Sequence, residues 1–390
     1  MNMDFTLFTP TKLLFGRGKL GELASQQLPG EKALLLISSG KSVRANGTLD
    51  RVTAQLDKAG VAYTICANIH ENPSREVVME AAACAKANGC DFVLAVGGGA
   101  VLDSAVAVAA MATNPGDLWD YVCGGTGKGQ PLQHPGLPIV TVATTSGTGS
   151  EINCWGVISN HATNEKIGFG YPELNPVLAI VDPELMLTLP KGLTAATGMD
   201  ALTHAVEAYL SRFYNTKQTR LLAEHAVVAI FTHLERAYRD GTSLPDRAAM
   251  LQASFDAGAA FTRASVGNVH AIAHTLGGLY GVPHGLANAV LLPLVLEDYG
   301  KAAYPRLARL AALVGLKGDT EEVRAKAFIA EIRAMNTRMG IPDHFDCIRK
   351  EDIPLMATWA AQEANPVYPV PVIYDEARFA RVIERSHHSQ

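Results

Sequence analysis

Short apolar runs alternate with helical stretches through the first half of this chain, and in the second half the strand signals nearly vanish. Lys12–Phe15, Ala33–Ile37, Ala62–Ile65, Phe92–Val96 and Ile139–Val142 are runs of strand length. Such runs suit strands buried on both faces, as in a parallel sheet. Periodicity places helices between them, at 47–59, 74–88 and 101–113. A parallel sheet with helical crossovers is a doubly wound α/β arrangement. From about residue 187 the texture is helical, with Leu221–Tyr238, Asp246–Phe261, Ala302–Leu316 and Glu321–Met339. The sheet should end between Asp182 and Pro190. That divides the chain into an α/β domain over 1–186 and an all-helical domain over 187–390.

Two loops in the first half can meet an anion. Gly97, Gly98, Gly99 and Ala100 follow the strand at 92–96 and open a helix. Glycine lets a backbone approach a ligand closely, and a helix N-terminus offers unpaired N–H groups. The spacing is not the Gly-x-Gly-x-x-Gly of an ordinary dinucleotide fold, and a tight turn alone would also use these glycines. The second loop, Thr144–Glu151, follows the strand at 139–142. Its hydroxyls and glycines suit phosphate, ribose or nicotinamide, or simply an ordinary polar loop.

The second half carries a metal-ligating pattern. Asp200 and His204 are four apart, so on a helix they share one face. Of twelve histidines, His270, His274 and His284 fall within one short segment that has no other charged residue. A carboxylate and three imidazoles fill the protein side of a divalent-metal shell and leave a position open. The bland readings are local. Thr197–Asp200 looks like a capping box that would set Asp200 near the third helical position, and His204 could be a hydrogen-bonded core histidine. Clustering favours the metal, because imidazoles in so apolar a stretch need partners.

Composition narrows the partners. The net charge is −5 with no basic run, which argues against nucleic acid. No apolar stretch reaches the ~20 residues of a membrane span. Residues 1–6 lack the basic-then-apolar layout of a signal peptide. Six cysteines (66, 84, 90, 123, 154, 347) are scattered without a Cys-x-x-Cys pair. They read as reduced thiols of a cytoplasmic protein.

Taken together, these motifs resemble the iron-containing (group III) alcohol dehydrogenase family. The resemblance runs through Pro10–Gly18, the glycine turn 97–99 with Asp103, Thr144–Glu151, Asn175–Pro183, Gly198–His204 and His270–Gly285. It implies a Rossmann-like N-terminal domain and an all-α C-terminal domain, the architecture shared with dehydroquinate synthase, and an active site in the cleft between them. It implies iron or zinc on Asp200, His204, His270 and His284, and hydride exchange between NAD(P)(H) and a small alcohol–aldehyde pair. It also implies cofactor contacts from Gly97, Gly98, Gly99, Asp103, Thr144, Thr145, Thr148 and Lys166, and a homodimer or larger homo-oligomer is expected. Where the family usually has Gly-Gly-Gly-Ser-x-x-Asp-x-x-Lys, this chain has Ala100 and Val106 in place of the serine and lysine. The intact ligand set distinguishes it from the maleylacetate reductases, which lack the metal ligands.

Family members that use NAD often place an acid after the second strand. Here Ser38, Ser39, Gly40, Lys41, Ser42 and Arg44 follow that strand, with Gly40 about where the acid would stand. Hydroxyls and cations can receive a 2′-phosphate, so NADP(H) is preferred and NAD(H) is second. His274, one helical turn from His270, is either a proton relay or a hydrogen-bonding support. Lys166 is either a cofactor contact or a surface lysine after a turn. Trp155, Phe261 and Tyr280 are candidates for shaping the substrate pocket. A metal-dependent lyase of the dehydroquinate synthase type is the rival enzyme, disfavoured because 262–290 offers only Arg263 for an anionic substrate. A non-catalytic metal-binding relative is the other alternative.

Overall fold

A computed structural model describes residues 10–387. The reading of residues 1–6 lies outside that range. Among the described residues there are eight strands: β1 Lys12–Phe15, β2 Lys32–Ser38, β3 Ala62–Ile69, β4 Phe92–Gly97, β5 Ile139–Ala143, β6 Trp155–Asn160, β7 Glu165–Gly170 and β8 Leu178–Val181. Six of them form a sheet in the order β1-β8-β5-β4-β2-β3, parallel at every pairing. Along β2 the side chains alternate between the two faces. Leu34 and Leu36 share a core with Val93, Ala95 and the helices after β3 and β4. Ala33, Leu35 and Ile37 share the opposite core with Leu20, Val52 and Leu56. Both faces are therefore covered, and an unbroken apolar strand is the result.

Five helices belong to this half: α1 Ser42–Ala45, α2 Thr48–Ala59, α3 Arg75–Ala87, α4 Gly99–Met111 and α5 Leu118–Tyr121. Nine follow: α6 Lys191–Leu210, α7 Lys217–Arg239, α8 Leu244–Ala264, α9 Asn268–Tyr280, α10 His284–Tyr299, α11 Tyr304–Leu313, α12 Glu321–Arg338, α13 Ile353–Ala364 and α14 Glu376–Ser386. They enclose a separate core that includes Met199, Leu202, Val206, Ile272, Leu291 and Phe328. Helix α6 is apolar nearly all round, and from Gly198 to Leu210 every residue is buried. That is the signature of a central helix.

Two local readings are corrected. Helix α6 starts at Lys191, so Asp200 is mid-helix, and Thr197 is no cap. Its hydroxyl donates to the Leu193 carbonyl at 2.8 Å. The capping-box pattern is a short-range match, whereas the helix start is set by Pro190, whose fixed φ suits a first turn. The antiparallel pair β6–β7 was not expected. Glycines at 156, 168 and 170 break its apolar pattern.

The crevice where strand order reverses lies between β2 and β4, since β3 flanks β2 on one side and β4 on the other. Ser38 and Gly97–Gly99 stand at its mouth. The helical half closes on it through backbone contacts. A Cβ on Gly258 of α8 would sit 2.9 Å from the Gly149 Cα, and Gly149 itself has φ +63°. Replacing Gly258 with Ala forces the two backbones apart and should cost about 1–3 kcal/mol. A urea titration would show a lower midpoint at constant slope; an unchanged midpoint would refute this contact.

Candidate active site

Helix α6 presents Asp200 and His204 one turn apart, α9 presents His270, and α10 begins at His284. One ligating atom from each of these four lies within 4.8 Å of all the others. The His284 and His270 Nε2 atoms are 3.6 and 4.0 Å from Asp200 Oδ1. His204 and His270 bring their Nε2 atoms to 3.0 Å. Asp200, His204 and His270 are buried, while the His284 side chain is 24% exposed and opens on the cleft. Burial pushes His204 down to about 4. Burial and the nearby Lys166 hold His284 well below the ordinary imidazole value. Burial thus favours the neutral form of both rings, and their nitrogens lie close to a carboxylate. That donor set fits a divalent cation.

A second layer fixes the first. Glu207, on α6 with Asp200 and His204, accepts from His270 Nδ1 at 2.6 Å. Burial opposes protonation of His270, but Glu207 outweighs it and the net shift is upward. Asn288 of α10 donates from Nδ2 to Asp200 Oδ1 at 2.7 Å. Phe261 of α8 stacks on His204 with ring centroids 4.4 Å apart. His274 is buried, its Nδ1 donates to Glu363 Oε1 at 2.7 Å, and its Nε2 has no hydrogen-bond partner. Tyr368 donates its hydroxyl to the same Glu363 oxygen.

All four ligand candidates and His274 line one cleft of about 1480 Å³. So do Gly97, Gly98, Gly99, Asp103, Thr144, Thr145, Thr148 and Lys166. The glycines have a steric reason. A Cβ on Gly98 would lie 2.9 Å from Thr145 Cγ2, and one on Gly99 would lie 2.4 Å from Thr148 Cγ2. The glycine turn and the threonine loop are thus packed directly together. Asp103 accepts from Ser150 Oγ at 2.7 Å and from the Val157 N–H at 3.1 Å. It ties α4 to the threonine loop and to β6, and burial lifts it to about 6.

Ser38, Ser39, Gly40 and Ser42 line the far end of the same cleft, where Ser39 pairs with His70 Nδ1 at 2.7 Å. Lys41 and Arg44 are exposed and are not among its lining residues. Ala100 is a lining residue, whereas Val106 is buried in the sheet-side core. Lys166 is no surface residue. It sits on β7, buried, with Nζ donating to Asn72 at 2.7 Å, and burial lowers it to about 8. Trp155 and Phe261 line the cleft as expected, but Tyr280 does not. Its hydroxyl is taken by Asp352 at 2.6 Å, at the C-terminal end of α9. Sequence reasoning missed Glu207, Asn288, Glu363, Tyr368 and Asn72. For Glu207 a signal existed, one turn beyond His204 on the same helix.

The six cysteines are unpaired, and no helix among the described residues is long and apolar enough to cross a membrane. Residues 10–183 match the iron-containing alcohol dehydrogenase family, and residues 194–378 match the C-terminal part of that family. The 1,3-propanediol dehydrogenase of Klebsiella pneumoniae is 38% identical over 368 residues, 93% of each chain. The NADPH-dependent butanol dehydrogenase of Clostridium saccharobutylicum is 33% identical, covering 87% of this chain and 85% of its own. A crystal structure of 1,3-propanediol oxidoreductase superposes with a TM-score of 0.90 at 36% identity, over 98% of this chain and 100% of that one. This chain belongs to the iron-containing alcohol dehydrogenase family and is an NAD(P)-dependent alcohol–aldehyde oxidoreductase.

Proposed function

We propose that this enzyme interconverts small primary alcohols and aldehydes, with NADP(H) as its preferred cofactor and a divalent metal on Asp200, His204, His270 and His284. The observation that carries the proposal is the shared cleft. One cavity joins four converging ligand atoms to a glycine turn at a sheet switch point. A bound iron or zinc ion would supply a Lewis acid for the substrate oxygen, and the nicotinamide would supply or accept the hydride. The protein's own part is positioning. Gly97–Gly99, Thr144, Thr145, Thr148 and Lys166 hold the cofactor along the ends of β4 and β5. His274 accepts or returns a proton at Nε2, because Glu363 occupies its Nδ1. The division between the two domains is placed at 186/187, supported by the end of β8 at Val181 and the start of α6 at Lys191.

Removing a ligand should remove turnover. His284→Ala is expected to lose bound metal and reductase activity together, and chelation should do the same to the wild type. Metal analysis alongside NAD(P)H oxidation at 340 nm checks this, and a metal-free variant with normal activity would overturn the assignment. Because the folded protein holds His204 down near 4 and His284 well below its ordinary value, both stay neutral at mildly acidic pH. His270, shifted upward beside Glu207, is the ligand at which a proton competes with the metal, so activity should decline between pH 7 and 6 through that one group.

The preference for NADP(H) is supported by Gly40, which puts no acid at the ribose end, and by the hydroxyls of Ser38, Ser39 and Ser42 in the cleft. One observation favours NADH instead: Glu71, an exposed acid after β3, lines the same end. Comparing kcat/KM for NADPH and NADH at fixed aldehyde decides between them, with NADPH expected to be higher. Gly40→Asp should move the ratio toward NADH by repelling the 2′-phosphate.

His274→Ala should keep its metal and lose rate. A lost proton relay typically costs about 10²–10⁴-fold, and a lost supporting hydrogen bond about 10–100-fold. Disappearance of one limb of the pH–rate profile would identify the relay. Loss of metal from His274→Ala, with retention in His270→Ala, would show the ligand assignment to be wrong.

A further inference from the structure

Glu207 does more than touch His270. Its carboxylate sits at the start of α9, where backbone N–H groups have no partner within the helix. Oε2 accepts from the Gly267 N–H and Oε1 from the Val269 N–H, both at 2.8 Å. Oε2 also accepts from His270 Nδ1 at 2.6 Å. One buried carboxylate thus caps α9 and orients a ligand carried by that helix, while itself standing on α6 with Asp200 and His204. The seat is built for it. A Cβ on Gly267 would lie 2.8 Å from Glu207 Oε1, so only glycine leaves room there. The turn that delivers α9 is strained as well: Ser265, the C-cap of α8, has φ +67° and ψ 174°, a region nearly confined to glycine. Two anchored N–H groups just beyond Ser265 hold that turn.

We infer that Glu207 is the positioning residue of the metal centre, locking α9 to α6 so that the His270 Nε2 lone pair faces Asp200 and His204. This rests on the metal reading of those ligands. A carboxylate can only accept, so it fixes the His270 hydrogen on Nδ1 and frees Nε2. A glutamine amide of the same shape has one oxygen for these three donors, so its NH₂ group faces either the Val269 N–H or both the Gly267 N–H and His270 Nδ1, and the seat that orients His270 is loosened.

The test is Zn²⁺ affinity of the stripped full-length protein, by competition with a chromogenic chelator, for wild type, Glu207→Gln and Gly267→Ala. Gly267→Ala keeps the charge and displaces the carboxylate. Its φ of −146° suits alanine, so the backbone is not strained. Glu207→Gln should raise the Zn²⁺ dissociation constant about 10–100-fold, and Gly267→Ala should raise it less. The visible spectrum of the Co²⁺-loaded protein should shift in both, a signature that a purely structural loss elsewhere would not give. Wild-type affinity and spectrum in Glu207→Gln would overturn the inference. If that variant does not fold, the same result in Gly267→Ala overturns it. A wild type that takes up no Zn²⁺ would overturn the metal assignment itself, and this inference with it.

Discussion

Asp200, His204 and His270 are embedded in a helical core, and the cost of burying them shapes everything around them. A charged imidazole there would lack water, so burial holds His204 neutral down to about 4. Neutral rings still need partners for two nitrogens each. The protein answers with groups of fixed polarity: Glu207 accepts on one side of His270, and Asn288 donates to Asp200. The far nitrogens are left pointing at one another. Asn288 Nδ2 also lies 3.2 Å from the Nε2 atoms of His270 and His284, so one amide is shared among the converging ligand atoms, a set that a positive ion would fit.

Helix α6 is the axis of this arrangement. It carries Asp200, His204 and Glu207, and its backbone is approached closely from two directions. A Cβ on Gly147 would lie 2.7 Å from the Thr197 Cβ, and one on Gly285 would lie 2.4 Å from the Ala196 carbonyl. The first contact brings in the threonine loop of the α/β half. The second brings in the turn that starts with His284. Glycine at both positions sets how closely the threonine loop and the turn at His284 approach α6. Contacts between Gly149 and Gly258, and between Asn164 and Gly278, repeat the device at the two flanks.

Much of this was legible in the chain. The five expected strands and the helices between them appear at nearly the expected residues, because a buried parallel strand has an unbroken apolar signature. The ligand candidates were legible because spacing of four places Asp200 and His204 on one face, and because histidine clustering in an apolar segment is unusual. What was not legible depends on contacts across the chain. Glu363 reaches His274 from 89 residues away, and Lys166 reaches Asn72 from 94. Nothing in the sequence around Lys166 marks it as buried, since β7 is short and broken by glycines. The capping reading of Thr197 failed for the opposite reason. The pattern lies inside a helix that already starts at Lys191, after Pro190, and Tyr280 was misplaced because Asp352 claims its hydroxyl.

The same burial sets a tension between stability and function. Buried atoms without a hydrogen-bond partner include His204 Nδ1, His274 Nε2, His284 Nδ1 and Asn288 Oδ1, all in this one site. Each such group costs about 1–3 kcal/mol, and an apolar core of equal volume would carry no such cost. Only His204 stands on α6; His274 belongs to α9, and His284 and Asn288 to α10. A cation on the Nε2 atoms would leave the Nδ1 atoms of His204 and His284 unpartnered, so that cost is carried by the site itself. His274 Nε2 then has a separate meaning from the other three. The Nδ1 of the same ring is bonded to Glu363, which leaves Nε2 as its one unpartnered nitrogen.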